Sequence, residues 1–262
     1  MKTILLLGDI TGRSRVALRM LSSVLERRGH EVLMLPTALI SNTLNLGAHE
    51  ALDTTDYLLR SLDTWEKLDL HYDMAYIGYI TGLKQAKKLC AVADGLRAKG
   101  VPVVLDPILG DNGKKYNSVS EEQVEGMRLL CAHADLITPN LTEACLLAGI
   151  EYKDTYVKML AREMAEDFSH AEGEAKPAVL ITSAKTSDGK DAVIGFDPVK
   201  WEHIQLEFER VPGHHWGVGD LFTGLMLDRL LCGDALFGAI EHAVQHVGAQ
   251  LRGEEESLLP EQ

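Results

Sequence analysis

The chain has 262 residues, 46% of them hydrophobic, and 26 basic against 39 acidic residues give a formal net charge of −13. That balance disfavours nucleic acid and anionic membranes as partners, and no apolar run approaches the roughly 20 residues needed to span a bilayer. It leaves room for a nucleotide, which needs only a local cluster of N–H groups and a cation.

Strand-length apolar runs alternate with helical patterns along the chain. Ile4 to Leu7 reads as a first strand. Val16, Leu18, Met20, Leu21 and Leu25 then form a helical face that ends at Gly29. Val32 to Leu35 is a second strand, and Pro36 is expected to stop it. Met74 to Ile80, Val103 to Leu105, Leu136 to Ile137 and Val179 to Ile181 are further strands. Helices are expected near Lys84–Ala98, Glu121–Ala132 and Tyr152–Phe168.

The rhythm changes near Ser187. Asp188-Gly189 is a turn signal, and Ala192 to Phe196 followed by Ile204, Leu206 and Phe208 alternates with period two. Two helices, Leu221–Leu231 and Ala235–Leu251, close the pattern. The expectation is one α/β domain over 1–262: a central, mostly parallel sheet with helices on both faces and an antiparallel edge addition. Residues 252–262 read as a loosely ordered tail. Met1 to Leu7 carries no signal-peptide features, and Cys90, Cys131, Cys145 and Cys232 read as buried reduced thiols without zinc spacing. A cytoplasmic location is the corresponding expectation.

In such sheets ligands sit beyond the carboxyl ends of the strands. The sharpest signal is Gly217-Val218-Gly219-Asp220, directly before an apolar helical pattern. Two glycines let successive N–H groups converge, and the helix start adds unsatisfied amides and a positive dipole end. This makes an anion hole, with Asp220 placed to accept a proton. A plain glycine loop with Asp220 as a helix cap would leave the same local pattern.

Two further strand ends carry polar segments: Asp106-Pro107-Ile108-Leu109-Gly110-Asp111, followed by Lys114, Lys115 and Tyr116, and Thr138-Pro139-Asn140-Leu141-Thr142-Glu143-Ala144. Asp106, Asp111 and Glu143 could set carboxylates around Mg²⁺, although Thr138 to Glu143 also suits a helix cap.

The order Ser41-Asn42, Gly78-Tyr79, Asp106-Pro107-x-x-Gly110-Asp111, Thr138-Pro139-Asn140-x-x-Glu143-Ala144, Gly217-x-Gly219-Asp220 resembles the pyridoxal kinase branch of the ribokinase-like superfamily. The resemblance implies a ribokinase-like fold and transfer of the ATP γ-phosphoryl group to the 5′-hydroxymethyl of a B6 vitamer. By position it implies Asp220 as general base and Gly217, Val218 and Gly219 as the anion hole. Asp106 and Glu143 would help hold Mg²⁺, Thr138 and Asn140 would line the phosphate channel, and Thr182 and Ser183 would meet the nucleotide phosphates. Asp111 would also serve ATP, and Tyr116 would belong to a flap that closes over it. Ser41, Asn42 and Asp9 would meet the acceptor, and Tyr79 would stack on its ring. A homodimer is the family's common state, and assistance by a monovalent cation stays open.

Two stretches depart from that branch. Asp9 stands where a serine is usual; it could accept a hydrogen bond from a ring hydroxyl or pair with a protonated ring nitrogen. Thr43-Leu44-Asn45-Leu46 replaces the usual His-Thr-x-Tyr. Val218 replaces a threonine, which matters little where only its N–H is needed. Hydroxymethylpyrimidine kinase, a kinase of another small hydroxymethyl compound, and a non-catalytic nucleotide-binding protein are the competing readings. Neither a Walker loop nor a Gly-x-Gly-x-x-Gly follows the first strand, which disfavours the commonest other nucleotide folds.

Overall fold

A computed structural model of the protein describes residues 1–13, 15–44, 48–153, 156–169, 176–213 and 215–259. The elements are, in order, β1 (Thr3–Thr11), α1 (Leu18–Arg27), β2 (Glu31–Ile40), β3 (Ala51–Asp53), α2 (Thr55–Lys67), β4 (Met74–Ile77), α3 (Leu83–Ala98), β5 (Val103–Leu105), β6 (Gly110–Asp111), β7 (Lys114–Lys115), α4 (Glu121–Cys131), β8 (Leu136–Ile137), α5 (Leu141–Ala148), α6 (Val157–Asp167), β9 (Ala178–Lys185), β10 (Asp191–Asp197), β11 (Glu202–Glu207), α7 (Val218–Leu231) and α8 (Leu236–Leu251). Nine strands form one mixed sheet, as the alternating pattern predicts.

The chain divides into two compact units, Met1–Ala75 with Glu209–Gln262, and Tyr76–Phe208, the boundary falling inside β4. In the first, the strand order is β4-β1-β2-β3. Ile4 to Leu7 of β1 are fully buried, so both faces of this strand are covered, which is what a parallel α/β sheet requires. α1 packs on β1, β2 and α7 through Leu18, Leu21, Val24 and Leu25, and α7 also packs on α8. α7 buries residues all round from Leu221 to Asp228, which marks a core helix. Residues 252–259 are tied back, with Leu258 N–H donating to Gln250 and Glu254 N–H to Ala249.

Pro36 does not stop β2. The register runs from Gly8↔Pro36 to Asp9↔Ala38, so the strand absorbs the proline at a bulge and continues to Ile40. The bulge leaves Thr37 out of the ladder and breaks the regular pairing beside Pro36, where a missing N–H costs little. The antiparallel edge strand β3 and helix α2 were not legible. Residues 51–53 are all exposed, and α2 buries only Leu58, so neither carries much apolar pattern.

In the second unit the order is β11-β10-β9-β8-β5-β4, with β5, β8 and β9 parallel and β9, β10 and β11 antiparallel. The edge addition expected after Ser187 is therefore present. Two helices begin with reciprocal capping boxes, Ser120 with Gln123 on α4 and Asn140 with Glu143 on α5. The polar segment after Asp106 contains the hairpin β6–β7. Asn112 and Gly113 take left-handed backbone at its tip, the conformation that an Asn-Gly pair supplies in a two-residue turn.

Candidate active site

The first unit holds the glycine motif and Asp220. Gly217 is left-handed, with φ 78°, and α7 starts at Val218, three residues earlier than expected. Leu221 N–H is bonded to Gly217 O at 2.8 Å, so the amides of Val218, Gly219 and Asp220 precede the first intrahelical bond and are free of helical acceptors. A Cβ built on Gly219 meets nothing within 4 Å. This glycine answers no steric demand of the fold and leaves open space beside the helix start. The residues expected to form an anion hole thus make up the first turn of α7.

Asp220 Oδ2 accepts a hydrogen bond from Ala17 N–H at 2.9 Å. Ala17 adopts φ 53° and ψ −137°, a conformation L-residues rarely take, just before α1. A backbone donor has no side-chain signature, which is why the sequence did not show it. Asp220 keeps partial surface exposure, yet protein crowds its carboxyl. Burial raises the pKa to about 6, against the opposing pull of the Ala17 N–H. Desolvation outweighs the Ala17 N–H, and a pKa of about 6 still leaves Asp220 mostly ionised at neutral pH.

Asp9 lies on β1 just past the point opposite the β2 bulge and is buried. Burial, and secondly the charge of Asp220, raise it to about 7, while its own backbone N–H pulls it down. The two carboxyls thus compete for a proton near neutrality. A raised native pKa means that the folded chain holds more protons than the unfolded chain between about pH 4 and 7. Stability from this source is complete below the unfolded value and is lost as pH rises through the folded one. Asp9→Asn should therefore flatten the pH dependence across that window and stabilise the chain at pH 8 by roughly 1–3 kcal/mol. Denaturant unfolding at pH 4 and pH 8 measures this, and an unchanged slope would contradict it.

Ser41 Oγ donates to Asn42 Oδ1 at 2.6 Å and accepts from Glu50 N–H at 3.0 Å; Asn42 Nδ2 donates to Ala48 O at 3.1 Å. Both side chains close their own loop. Residues 45–46 of the departing stretch lie outside the described residues. Thr11 and Thr43 hydroxyls are buried without a hydrogen-bond partner; Thr43 opens the departing stretch, and Thr11 carries no sequence signal.

The second unit holds the carboxylates proposed for a cation. Asp106 follows β5 and Glu143 lies in the first turn of α5; both are buried. Glu143 Oε1 accepts from Leu109 N–H at 3.1 Å and Oε2 from Asn140 N–H at 2.9 Å. Tyr76 O–H reaches Asp106 Oδ2 at 3.4 Å. Burial, then the charge of Asp106, push Glu143 well above the usual carboxylate range. Two mutually repelling buried acids form an oxygen-only donor set, and a hard divalent cation such as Mg²⁺ would relieve the repulsion. The residues present fit that ion.

Asp111 is not part of this pair. It is exposed, and its carboxylate accepts from Asn112 N–H and Nδ2, both at 2.8 Å. Asn140 caps α5 and donates from Nδ2 to Gly110 O at 2.8 Å, holding the hairpin base. Thr138 is buried against Leu105 O. Tyr116 N–H bonds Leu109 O, Thr182 N–H bonds Pro139 O, and Thr182 and Ser183 are half-buried on β9. Tyr79 is only 4% exposed, and its hydroxyl accepts from Gln123 Nε2 at 3.0 Å. It sits as a core residue with little face open for stacking. Lys185 pairs with Asp191 at 3.0 Å.

Among known proteins, a solved structure from Bacteroides thetaiotaomicron, provisionally named a phosphomethylpyrimidine kinase and crystallised with pyridoxal, is 31% identical with a TM-score of 0.86. That match covers 96% of this chain and 88% of the other. Pyridoxal kinase from Lactobacillus plantarum is 25% identical, with a TM-score of 0.82 over 97% of this chain and 89% of that one. Pyridoxal kinase PdxY of Pasteurella multocida is 28% identical over 72% of this chain and 66% of its own length. The chain spans about half to two thirds of the curated relatives it matches. The fold is the ribokinase-like one expected from the motif order. The phosphomethylpyrimidine kinase family model matches residues 26–258, and the chain belongs to that family.

Proposed function

We propose that the chain is an ATP-dependent kinase that phosphorylates the 5′-hydroxymethyl of pyridoxal or a related B6 vitamer. The observation that carries this reading is Asp220, a carboxylate in the first turn of a helix whose leading amides have no helical acceptor. The acceptor oxygen would attack the γ-phosphorus, the bond to the ADP oxygen would break, and the hydroxyl proton would pass to Asp220. The amides of Val218, Gly219 and Asp220 would stabilise the charge on the transferring group. Asp106 and Glu143 would hold Mg²⁺, whose chemistry is neutralisation of phosphate charge. Asp9, Ser41 and Asn42 would address the acceptor, and Asp111, Tyr116, Thr138, Asn140, Thr182 and Ser183 the nucleotide. No described helix is long and apolar enough to cross a membrane; a cytoplasmic homodimer of single-domain chains completes the proposal.

A second reading is a hydroxymethylpyrimidine acceptor, a pyrimidine akin to the compound that names the matching family model. ADP release with Mg-ATP against pyridoxal, pyridoxine, pyridoxamine and hydroxymethylpyrimidine separates the two. Turnover on a B6 vitamer supports the proposal; turnover on hydroxymethylpyrimidine alone replaces it. Gly219→Ala supplies an internal check. Since its Cβ meets nothing within 4 Å, the variant should gain about 0.5–1 kcal/mol of stability. It should also release ADP at least about tenfold more slowly, because a methyl group would crowd the phosphoryl group over that amide. Greater stability with undiminished turnover would remove Gly219 from the anion hole.

A further inference from the structure

We propose that His30, Asp228 and Cys232, all in the first unit, form a binding site for a borderline-soft divalent ion, Zn²⁺ by preference. Asp228 and Cys232 are four residues apart, on one face at the end of α7, and His30 comes from the turn between α1 and β2. One ligand atom from each lies within 4.8 Å of the others. His30 Nε2 stands 2.9 Å from Asp228 Oδ1, and Cys232 Sγ 4.0 Å from the same oxygen. Ligands held about 2.0–2.3 Å from a tetrahedral ion sit roughly 3.3–3.7 Å apart, so small side-chain shifts bring the three to coordinating distance.

The independent observation is unmet polarity. The Asp228 side chain is only 4% exposed and is aimed into the cluster through Oδ1, yet its Oδ2 is buried without a hydrogen-bond partner, so the carboxylate has an oxygen to spare for an ion. Such groups are costly in a protein interior unless a ligand or water satisfies them. Arg28 Nε stands 4.0 Å from Oδ2, beyond hydrogen-bond reach. It opposes a cation, but its side chain is 35% exposed and can withdraw. Cys232 is exposed, against the expectation of a buried thiol, because it caps the end of α7. It gives the ion a way in and leaves a fourth position for water. Binding would take the thiol proton from Cys232, so that thiolate and carboxylate balance the ion's charge. The spacing of ligands in sequence could not reveal this site, since His30 is 198 residues from Asp228.

The test uses the full chain, stripped of metal by chelation and titrated with Co²⁺ and then Zn²⁺ in the absence of nucleotide. The expected result is one Co²⁺ per chain with a thiolate-to-cobalt charge-transfer band, displaced by Zn²⁺. Cys232→Ser, at an exposed position, should abolish the band, and both Cys232→Ser and His30→Gln should weaken Zn²⁺ binding at least about tenfold. No band on the native chain, or a band that survives in Cys232→Ser, overturns the proposal. An ion held only by Asp106 and Glu143 gives no thiolate band, so the outcome is separate from that of the kinase assay.

Discussion

Asp220→Asn is expected to lower kcat by about 10²–10⁴-fold, the range for loss of a positioned general base, with ATP affinity nearly unchanged. The amide keeps the size and a carbonyl oxygen that can accept the Ala17 N–H, so the first turn of α7 should hold its geometry. What is lost is the ability to take a proton. The variant should also be more stable at neutral pH, because it no longer holds a carboxylate that burial has raised to about 6 and because Asp9 loses a charged neighbour. Steady-state kinetics, nucleotide binding and denaturant unfolding on the same preparations separate these effects. A variant with full turnover would show that Asp220 only caps the helix.

Glu143→Gln is expected to raise the Mg²⁺ concentration for half-maximal turnover about 10–100-fold. Glu143 is buried beside Asp106, and its pKa is raised by burial first and by that charge second. Its native-state stability contribution is therefore present at low pH and lost as pH rises. Glutamine removes that dependence together with the charge that would hold the cation. It keeps one oxygen for Leu109 N–H or Asn140 N–H but cannot accept from both, so the capping box weakens by about 1 kcal/mol. Mg²⁺ titration of ADP release, with unfolding followed from acid to neutral pH, reads both consequences. An unchanged Mg²⁺ requirement would reduce Glu143 to a capping residue.

The core strands and most helices were legible because buried parallel strands read as continuous apolar runs, and because α1 and α7 carry dense apolar faces. β3 and α2 were missed because they bury almost nothing, and Pro36 misled because a bulge can absorb what a ladder cannot. Motif order sets Asp106 at a strand end and Glu143 and Asp220 at helix starts, and the structure has them there, after β5 and in the first turns of α5 and α7. Other parts depend on contacts that no motif encodes. The Ala17 N–H comes from 203 residues away, Asp111 turns to its own hairpin, and the proton competition between Asp9 and Asp220 follows from burial. Asn112-Gly113 was a hairpin signal in plain view between short polar segments, too short for any periodicity to frame it.

The most direct measurement is transfer of labelled phosphate from γ-labelled ATP to pyridoxal in a single turnover, with the product identified as the 5′-phosphate. The account predicts label on pyridoxal with the native chain and none above background with Asp220→Asn. Binding of both ligands without transfer by the native chain would contradict it.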